Sequence, residues 1–430
     1  MKITRITKNP YLLFSPFLCF YILYILFFPP DFGRYTDEMR YLQFAQNLIH
    51  GFYSPPAPDI DLTNGPGYPL LLSPFVAMGL PFIYMTLLNA VFYYLSIILL
   101  FKALKQTVEL NIALIFSCFW ACYYVAFQNL NTILTETFTF LLISLLIFSL
   151  VKVFKTDNHK EAKRFIFLAG FTIGFIILTK MIFGYVLLLM LLGYIVFWII
   201  DIKNVNYRKG IYILLIAFVT VIPYLIYTYH LTGRIFYWGS GSDSLYWMST
   251  PYKGEYGDFK YDLTLNTVAL GNYNIPGSDD TLRVHHGKDF EEISKFKGIE
   301  RDDAFKRIAI NNIKSHPLKF AENWIYNLGR LVFHYPFSYA VQRPKILLVL
   351  PINGIVFTLI LFCLIPTFIN WRKISFPVRF LLLFCFIYLG GSSLVTGFVR
   401  MFTIVVPIML FWFAYIIQNS LVIKIKFYDL

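Results

Sequence analysis

The sequence predicts an all-α, multi-pass membrane protein with about ten transmembrane helices. Of its 430 residues, 58% are hydrophobic and only 14% are charged, which is more apolar surface than a water-soluble chain can cover. Apolar runs of about 18 to 24 residues recur along the whole chain, and each is long enough to cross a hydrocarbon core of about 30 Å as a helix. Helices are the expected form because their backbone groups bond internally.

The first apolar run follows Lys2, Arg5 and Lys8 and is not followed by a small-residue cleavage site. We therefore predict an uncleaved first span whose basic flank stays in the cytoplasm. The predicted spans are 11–28, 81–101, 110–128, 133–151, 165–182, 183–200, 211–229, 346–369, 380–396 and 401–421.

Basic residues are distributed unevenly between the connections. Threading from the first span makes alternate connections cytoplasmic, and these are rich in Lys and Arg, as in KVFKTDNHKEAKR (152–164) and WRKISFPVR (371–379). The short connections on the other side, such as QNLNT (128–132), are nearly free of them. The net charge of +13 therefore reflects membrane topology, and we predict no nucleic-acid partner.

Two long segments are predicted to face outside, 29–80 and 230–345. They divide the chain into an N-terminal transmembrane module (1–229) containing the first external loop (29–80), an external segment (230–345), and C-terminal transmembrane helices (346–430). Amphipathic patterns predict surface helices over 36–50, 301–315 and 317–333. The apolar run 68–79 is too short to span and is predicted to be re-entrant.

The stretch TDEMRY (36–41) has two interpretations. Thr36, Asp37 and Glu38 are typical of a helix start, where an N-cap and two acids satisfy free N–H groups and the helix dipole. Alternatively, Arg40 lies three residues after Asp37 and Tyr41 four, so a carboxylate, a cation and a phenol can point to one place above the membrane.

Ionisable residues inside the predicted spans are the second indication of a functional site. Glu136 and Lys180 lie within apolar runs, and Arg400 precedes the last one. Each such group costs at least ~2.5 kcal/mol to insert, so a functional site is the default hypothesis. Threading places all three at the external end, where Asp37, Glu38 and Arg40 also lie. The alternative, called the snorkelling alternative below, is that Lys180 and Arg400 extend towards water and Glu136 pairs with one of them.

A carboxylate beside cations at a membrane surface suits chemistry on a lipid phosphate. Arg or Lys holds the phosphate while the carboxylate handles a proton. A phosphate is already a good leaving group, so one base and two or three cations suffice.

The sequence also resembles the GT-C membrane glycosyltransferases, which use polyprenyl-phosphate sugars and include the aminoarabinose and protein mannosyl transferases. TDEMRY resembles their DExRY signature in the first external loop. The resemblance extends from the first span to the last through the segments NGPGYPLLLSPF (64–75), LTETF (134–138), AGFTIGFIILTK (169–180) and VRMFTIVVPIML (399–410).

The resemblance implies that Asp37 is the base and that Arg40 contacts the lipid phosphate. The chain departs from the family at two places. Relatives of the aminoarabinose type have a Lys where this chain has TNGPG (63–67), and many members have a Tyr where Met401 stands. Donor identity therefore does not transfer, and Lys180 is the expected replacement cation.

We thus predict an inverting glycosyltransferase of the inner (plasma) membrane whose site faces the periplasm or exterior. Its partners are a lipid-linked sugar donor and a glycan, lipid or protein acceptor. Arg40 and Lys180, with Arg400, hold the donor phosphate, and Asp37 deprotonates the acceptor. The remaining predicted binding residues are Tyr41, which shares the face of Asp37, and Glu38 and Glu136, which orient the acceptor or the cations.

Two other functions fit the sequence less well. A transporter or flippase for lipid-linked sugars typically shows inverted repeats and a site on broken helices at the bilayer midplane, and the sequence shows neither. A non-catalytic scaffold leaves the converging charges unexplained.

Metal and disulfide sites are not predicted. His285 and His286, with acids nearby, are candidate ligands for a divalent metal, but adjacent histidines in a polar loop are usually surface residues, so no cofactor is assigned. All five cysteines lie in apolar runs, which gives no external disulfide framework.

Overall fold

A computed structural model describes residues 9–29, 36–239, 241–260, 277–340, 344 and 346–420. The basic N-terminal flank and the side chain of Thr36, predicted as an N-cap, lie outside this description. The described residues form helices and loops without a β-strand. In chain order the helices are α1 (Pro10–Phe27), α2 (Thr36–Ile49), α3 (Gly67–Ala77), α4 (Phe82–Leu104), α5 (Leu110–Ala121), α6 (Tyr124–Phe127), α7 (Glu136–Lys155), α8 (His159–Thr179), α9 (Phe183–Ile200), α10 (Val205–Thr232), α11 (Gly241–Met248), α12 (Ser278–Ile293), α13 (Gly298–Ser315), α14 (Pro317–Phe333), α15 (Ile346–Ile369), α16 (Phe376–Ser393), α17 (Val399–Thr403) and α18 (Val406–Ser420).

Eight helices among the described residues are long and apolar enough to cross a membrane: α1, α4, α7, α8, α9, α10, α15 and α16. Shorter apolar helices, α3, α5 and α18, accompany them. Large hydrophobic side chains remain exposed on α1, α9 and α15, as expected for faces in contact with lipid. The predicted all-α membrane fold is therefore confirmed.

Two predicted spans are not single helices. The run 110–128 contains α5, which ends at Ala121, and the short α6; between them the buried Tyr123 donates its hydroxyl hydrogen to Asn353 at 2.5 Å. The run 401–421 is divided between α17 and α18 around Ile404 and Val405. Because the residues at both breaks are apolar or aromatic, a hydropathy pattern does not reveal a local break in the helix.

Close helix packing organises the bundle. α8 lies against α10 through Gly170 and Gly174, four residues apart on one face. A Cβ atom at Gly170 would lie 2.6 Å from the carbonyl oxygen of Ile213, and one at Gly174 would lie 2.5 Å from Cβ of Thr220. Small residues at this spacing let two membrane helices approach closely. This packing holds α8, whose C-terminal end immediately precedes Lys180, against α10.

The basic connections lie together at one end of the bundle, here called the basic end. Lys102, in the last turn of α4, donates to the Tyr11 hydroxyl at the start of α1 at 2.8 Å. Lys155 contacts the Gln106 carbonyl, and Lys209 donates to the carbonyl oxygen of Val153 at 3.2 Å. The opposite, or loop, end carries residues 50–66 and the loop module, defined as residues 241–260 and 277–340.

The loop module packs onto the loop end through polar contacts. Upstream of it, Trp238 donates from Nε1 to the Thr63 carbonyl at 3.0 Å. Within it, Asn327 of α14 donates to the carbonyl oxygen of Ser393 at 2.6 Å, which joins the module to α16. The module has its own small core, whose fully buried members include Tyr246, Trp247 and Leu282. It thereby covers the bundle end where α2 and the start of α7 lie.

Candidate active site

A cavity of about 800 Å³ lies between the loop end of the bundle and the loop module. The predicted first external loop, the residues after α8, the segment before α17 and the loop module each contribute to its wall. Five residues predicted from the sequence line it: Asp37, Arg40, Tyr41, Lys180 and Arg400.

Asp37 lies in the first turn of α2 and is held between two arginines. Its Oδ2 is 2.8 Å from Nη2 of Arg400, which lies 363 positions away in sequence, and its Oδ1 is 3.4 Å from Nη1 of Arg40. The side chain remains 23% exposed. Burial alone would raise the pKa of Asp37, but Arg400 and then Arg40 outweigh it, so the pKa lies below its ordinary value.

A second carboxylate shares one of these cations. Glu136, at the first position of α7, is buried, and its Oε1 lies 3.0 Å from Nζ of Lys180 and 4.0 Å from Nη1 of Arg400. Arg400 thus bridges Asp37 and Glu136. The pairing of Glu136 with Lys180 is what the snorkelling alternative expects, but both cations also line the cavity.

Asn64 and Asp61 complete the surroundings of Arg40. Asn64 accepts from Arg40 Nη1 at 3.4 Å and donates to the hydroxyl oxygen of Tyr41 at 3.0 Å, while Asp61 Oδ2 lies 4.0 Å from Arg40 Nε. The sequence analysis did not single out either residue. Asn64 does lie inside the NGPGYP segment, so the resemblance contained a signal for it.

The glycines of that segment explain its close approach to α8. A Cβ atom at Gly65 would lie 2.1 Å from the carbonyl oxygen of Leu178, and one at Gly67 would lie 2.7 Å from Oγ1 of Thr179. Only glycine fits at this separation, so the segment carrying Asn64 lies directly against the residues that precede Lys180.

Glu38 has a different environment from Asp37. It is only 1% exposed, and its Oε1 accepts a hydrogen bond from the backbone N–H of Ile133 at 2.9 Å. This contact ties α2 to the connection before α7. Neither Glu38 nor Glu136 is among the described residues that line the cavity, so their predicted part in substrate binding remains a prediction.

The loop module adds acids to the cavity wall. Asp243 and Asp302 both line the cavity, and burial raises the pKa of Asp243 to about 7 and that of Asp302 to about 6. Trp238 and Trp247 also line the cavity. Neither acid was predicted from the sequence, because nothing in the local pattern shows that they lie at the wall of this cavity.

No protein-family model and no curated protein match the chain. Among solved structures, an oligosaccharyltransferase from Archaeoglobus fulgidus, tethered to an acceptor peptide, matches at 14% identity and a TM-score of 0.50 over 94% of this chain and 49% of its own. The fold is that of the GT-C membrane glycosyltransferases. The predicted fold is thus confirmed, and this chain spans about half the length of that oligosaccharyltransferase.

Two further solved structures match over the same share of this chain. The archaeal oligosaccharyltransferase AglB from Archaeoglobus fulgidus, in complex with an inhibitory peptide and a dolichol-phosphate, has 13% identity and a TM-score of 0.49 over 50% of its length. ArnT from Cupriavidus metallidurans, bound to undecaprenyl phosphate, has 13% identity and a TM-score of 0.42 over 76% of its length.

Proposed function

We propose that this protein is a glycosyltransferase that moves a sugar from a polyprenyl-phosphate donor to an acceptor hydroxyl at the external face of the inner membrane. The observation that carries the proposal is the position of Asp37, which faces a large cavity between Arg40 and Arg400 at the end of the bundle. The GT-C fold and the TDEMRY resemblance support it.

Three cations are available to the donor phosphate. Arg40, Lys180 and Arg400 line one wall of the cavity and are between 16% and 31% exposed, so a ligand can reach them. Departure of a lipid phosphate requires stabilisation of negative charge, which fixed guanidinium and ammonium groups provide in a site shielded from water.

Asp37 is the proposed base. With its pKa held low by two arginines it is ionised at neutral pH, but a strongly stabilised carboxylate is a weak proton acceptor. A donor phosphate competes for the same arginines. Binding of the donor therefore weakens their hold on Asp37 and raises its basicity when the acceptor hydroxyl needs it. Attack opposite the phosphate inverts the anomeric configuration.

The far wall is the proposed acceptor side. Trp238 and Trp247 offer aromatic faces, and Asp243 and Asp302 offer carboxyl groups that hydrogen-bond hydroxyls. This combination suits a polyhydroxylated acceptor, whether it is a glycan, a glycolipid or a glycosylated protein. The basic end of the bundle is the cytoplasmic side in this proposal, which places the cavity outside.

A panel of polyprenyl-phosphate sugars incubated with the purified protein tests the activity. We expect one member of the panel to be consumed with release of polyprenyl phosphate, and Asp37→Asn to abolish that release. Movement of lipid-linked sugar across proteoliposomes without donor consumption would instead favour the flippase alternative.

A further inference from the structure

Glu255, His285 and His286 form a cluster away from the cavity. One ligand atom from each, a carboxylate oxygen or a ring nitrogen, lies within 4.8 Å of the others. Glu255 Oε1 is 2.7 Å from Nδ1 of His285, and Glu255 Oε2 is 2.9 Å from Nε2 of His286. His286 and Glu255 are each 2% exposed, so His286 is not the surface residue that the sequence analysis expected.

The neighbours of His286 determine how its ring is protonated. Nδ1 lies 2.7 Å from the Tyr246 hydroxyl, and that hydroxyl donates its single hydrogen to Asp289 at 2.8 Å. The Tyr246 oxygen must then accept from Nδ1–H. In a neutral imidazole this leaves the Nε2 lone pair directed at the carboxylate of Glu255.

Two facing lone pairs repel each other unless a proton or a metal ion lies between them. A metal-binding histidine generally donates its other ring N–H to an oxygen acceptor that fixes the ring's orientation, and the Tyr246 hydroxyl is in that position here. Glu255 is oriented as well, because Thr250 donates to Oε2 at 2.5 Å and Tyr339 donates to Oε1 at 3.1 Å. Each carboxylate oxygen keeps a further lone pair for the histidine side.

We propose that Glu255, His285 and His286 bind a divalent transition-metal ion of the zinc class. Two imidazole nitrogens and one carboxylate oxygen are ligands that Zn²⁺ prefers, with a fourth position for water. Zinc bonds of about 2.0–2.1 Å in a tetrahedral site separate neighbouring ligand atoms by about 3.3 Å. If Oε1 of Glu255 binds the ion, Nδ1 of His285, now 2.7 Å from that oxygen, therefore has to draw back by about half an ångström.

The ion would join two parts of the loop module. Glu255 lies in the segment that follows α11, and both histidines lie on α12. The ring of His286 also contacts Trp247, with centroids 4.7 Å apart, and Trp247 lines the cavity. The site is therefore structural, and it positions one wall of the cavity. It stands independently of the reaction proposed above.

Metal content of the purified full-length chain is the direct test. After dialysis in metal-free buffer we expect about one zinc per chain in the wild type and in His316→Ala, which removes an exposed histidine of the same module. His285→Ala/His286→Ala should lose at least nine-tenths of that zinc. Equal zinc in the double variant, or no zinc in the wild type, overturns the proposal.

Measurements on the wild type keep the test decisive if the double variant fails to fold. A chelator should lower the thermal midpoint by several degrees and added zinc should restore it. Added Co²⁺ should give the visible absorption of a four-coordinate ion. A thermal midpoint that responds to neither chelator nor zinc, together with the absence of a Co²⁺ spectrum, would overturn the proposal. The three side chains would then share protons and bind no metal ion.

Discussion

Asp37 and Asp258 are both carboxylates paired with cations at the loop end of the protein, yet their surroundings differ. Asp258 Oδ2 lies 2.6 Å from Lys260 Nζ, its Oδ1 accepts from the backbone N–H and the hydroxyl of Ser338, and the side chains of the ion pair are only 3–4% exposed. Asp37 is 23% exposed and faces the cavity.

This difference separates a structural charge from one that is available to a ligand. The oxygens of Asp258 are occupied by groups of the protein itself, which join residues 258–260 to Ser338. Of the two arginines around Asp37, Arg400 is shared with Glu136, and both are open to the cavity, so a charged ligand can change their pairing. Burial and hydrogen bonding, more than the presence of an ion pair, distinguish the two roles.

The largest expected effect on stability comes from the buried pair. Asp258→Ala removes the carboxylate that lies 2.6 Å from the buried ammonium group of Lys260 and should cost roughly 3–5 kcal/mol of folding free energy. Thermal unfolding measures it, with Glu291→Ala, an exposed acid of the same module, as the control. Turnover by the folded fraction should change little. Lost turnover with unchanged stability would reverse the assignment of the two carboxylates.

Removing a cation from the cavity wall should have a smaller effect, and this effect should be on donor affinity. Arg40→Ala or Lys180→Ala should weaken donor binding by roughly 1.5–3 kcal/mol, the contribution of a hydrogen bond to a charged group. Lys297→Ala, which removes an exposed lysine paired with the exposed Asp59, is the matched control. Calorimetry or a donor-competition assay measures the affinity. Unchanged affinity in both variants would support the snorkelling alternative.

The contributions of Asp243 and Asp37 to folding stability should depend on pH in opposite directions. The raised pKa of Asp243, about 7, means that the folded protein binds this proton more tightly than the unfolded chain does. Stability from this group is present at low pH and falls as pH rises from about 4 to 7. Asp243→Asn should therefore raise the thermal midpoint, relative to wild type, more at pH 8 than at pH 5.

Asp37 provides the comparison for that experiment. Its pKa is lowered, so its stabilising contribution is complete above the unfolded value of about 3.9 and is lost only as pH falls through the lower folded value. The midpoint difference between Asp37→Asn and wild type should thus be the same at pH 5 and pH 8. A pH-independent difference in Asp243→Asn as well would mean that Asp243 is not buried as described.

The sequence predicts the parts of this account that depend on local spacing or on the cost of burial. Asp37 and Arg40 are one helical turn apart, and Glu136 and Lys180 are costly in apolar runs, so both pairs are visible without a structure. Asp243, Asp61 and the Ile133 contact of Glu38 are not visible, because each depends on segments brought together only by the fold. The break at Tyr123 is hidden because a hydropathy pattern does not reveal a local break in an apolar helix.

Donor turnover in Asp37→Asn and Glu38→Gln, with thermal stability recorded alongside, tests the central claim most directly. Asparagine keeps the shape and capping oxygen of Asp37 but is no base, so turnover should fall by at least ~10² while the protein stays folded and binds donor. Glu38→Gln keeps the oxygen that accepts from Ile133 and should retain most activity. Near-wild-type turnover in Asp37→Asn would contradict the account and make TDEMRY only the start of a helix.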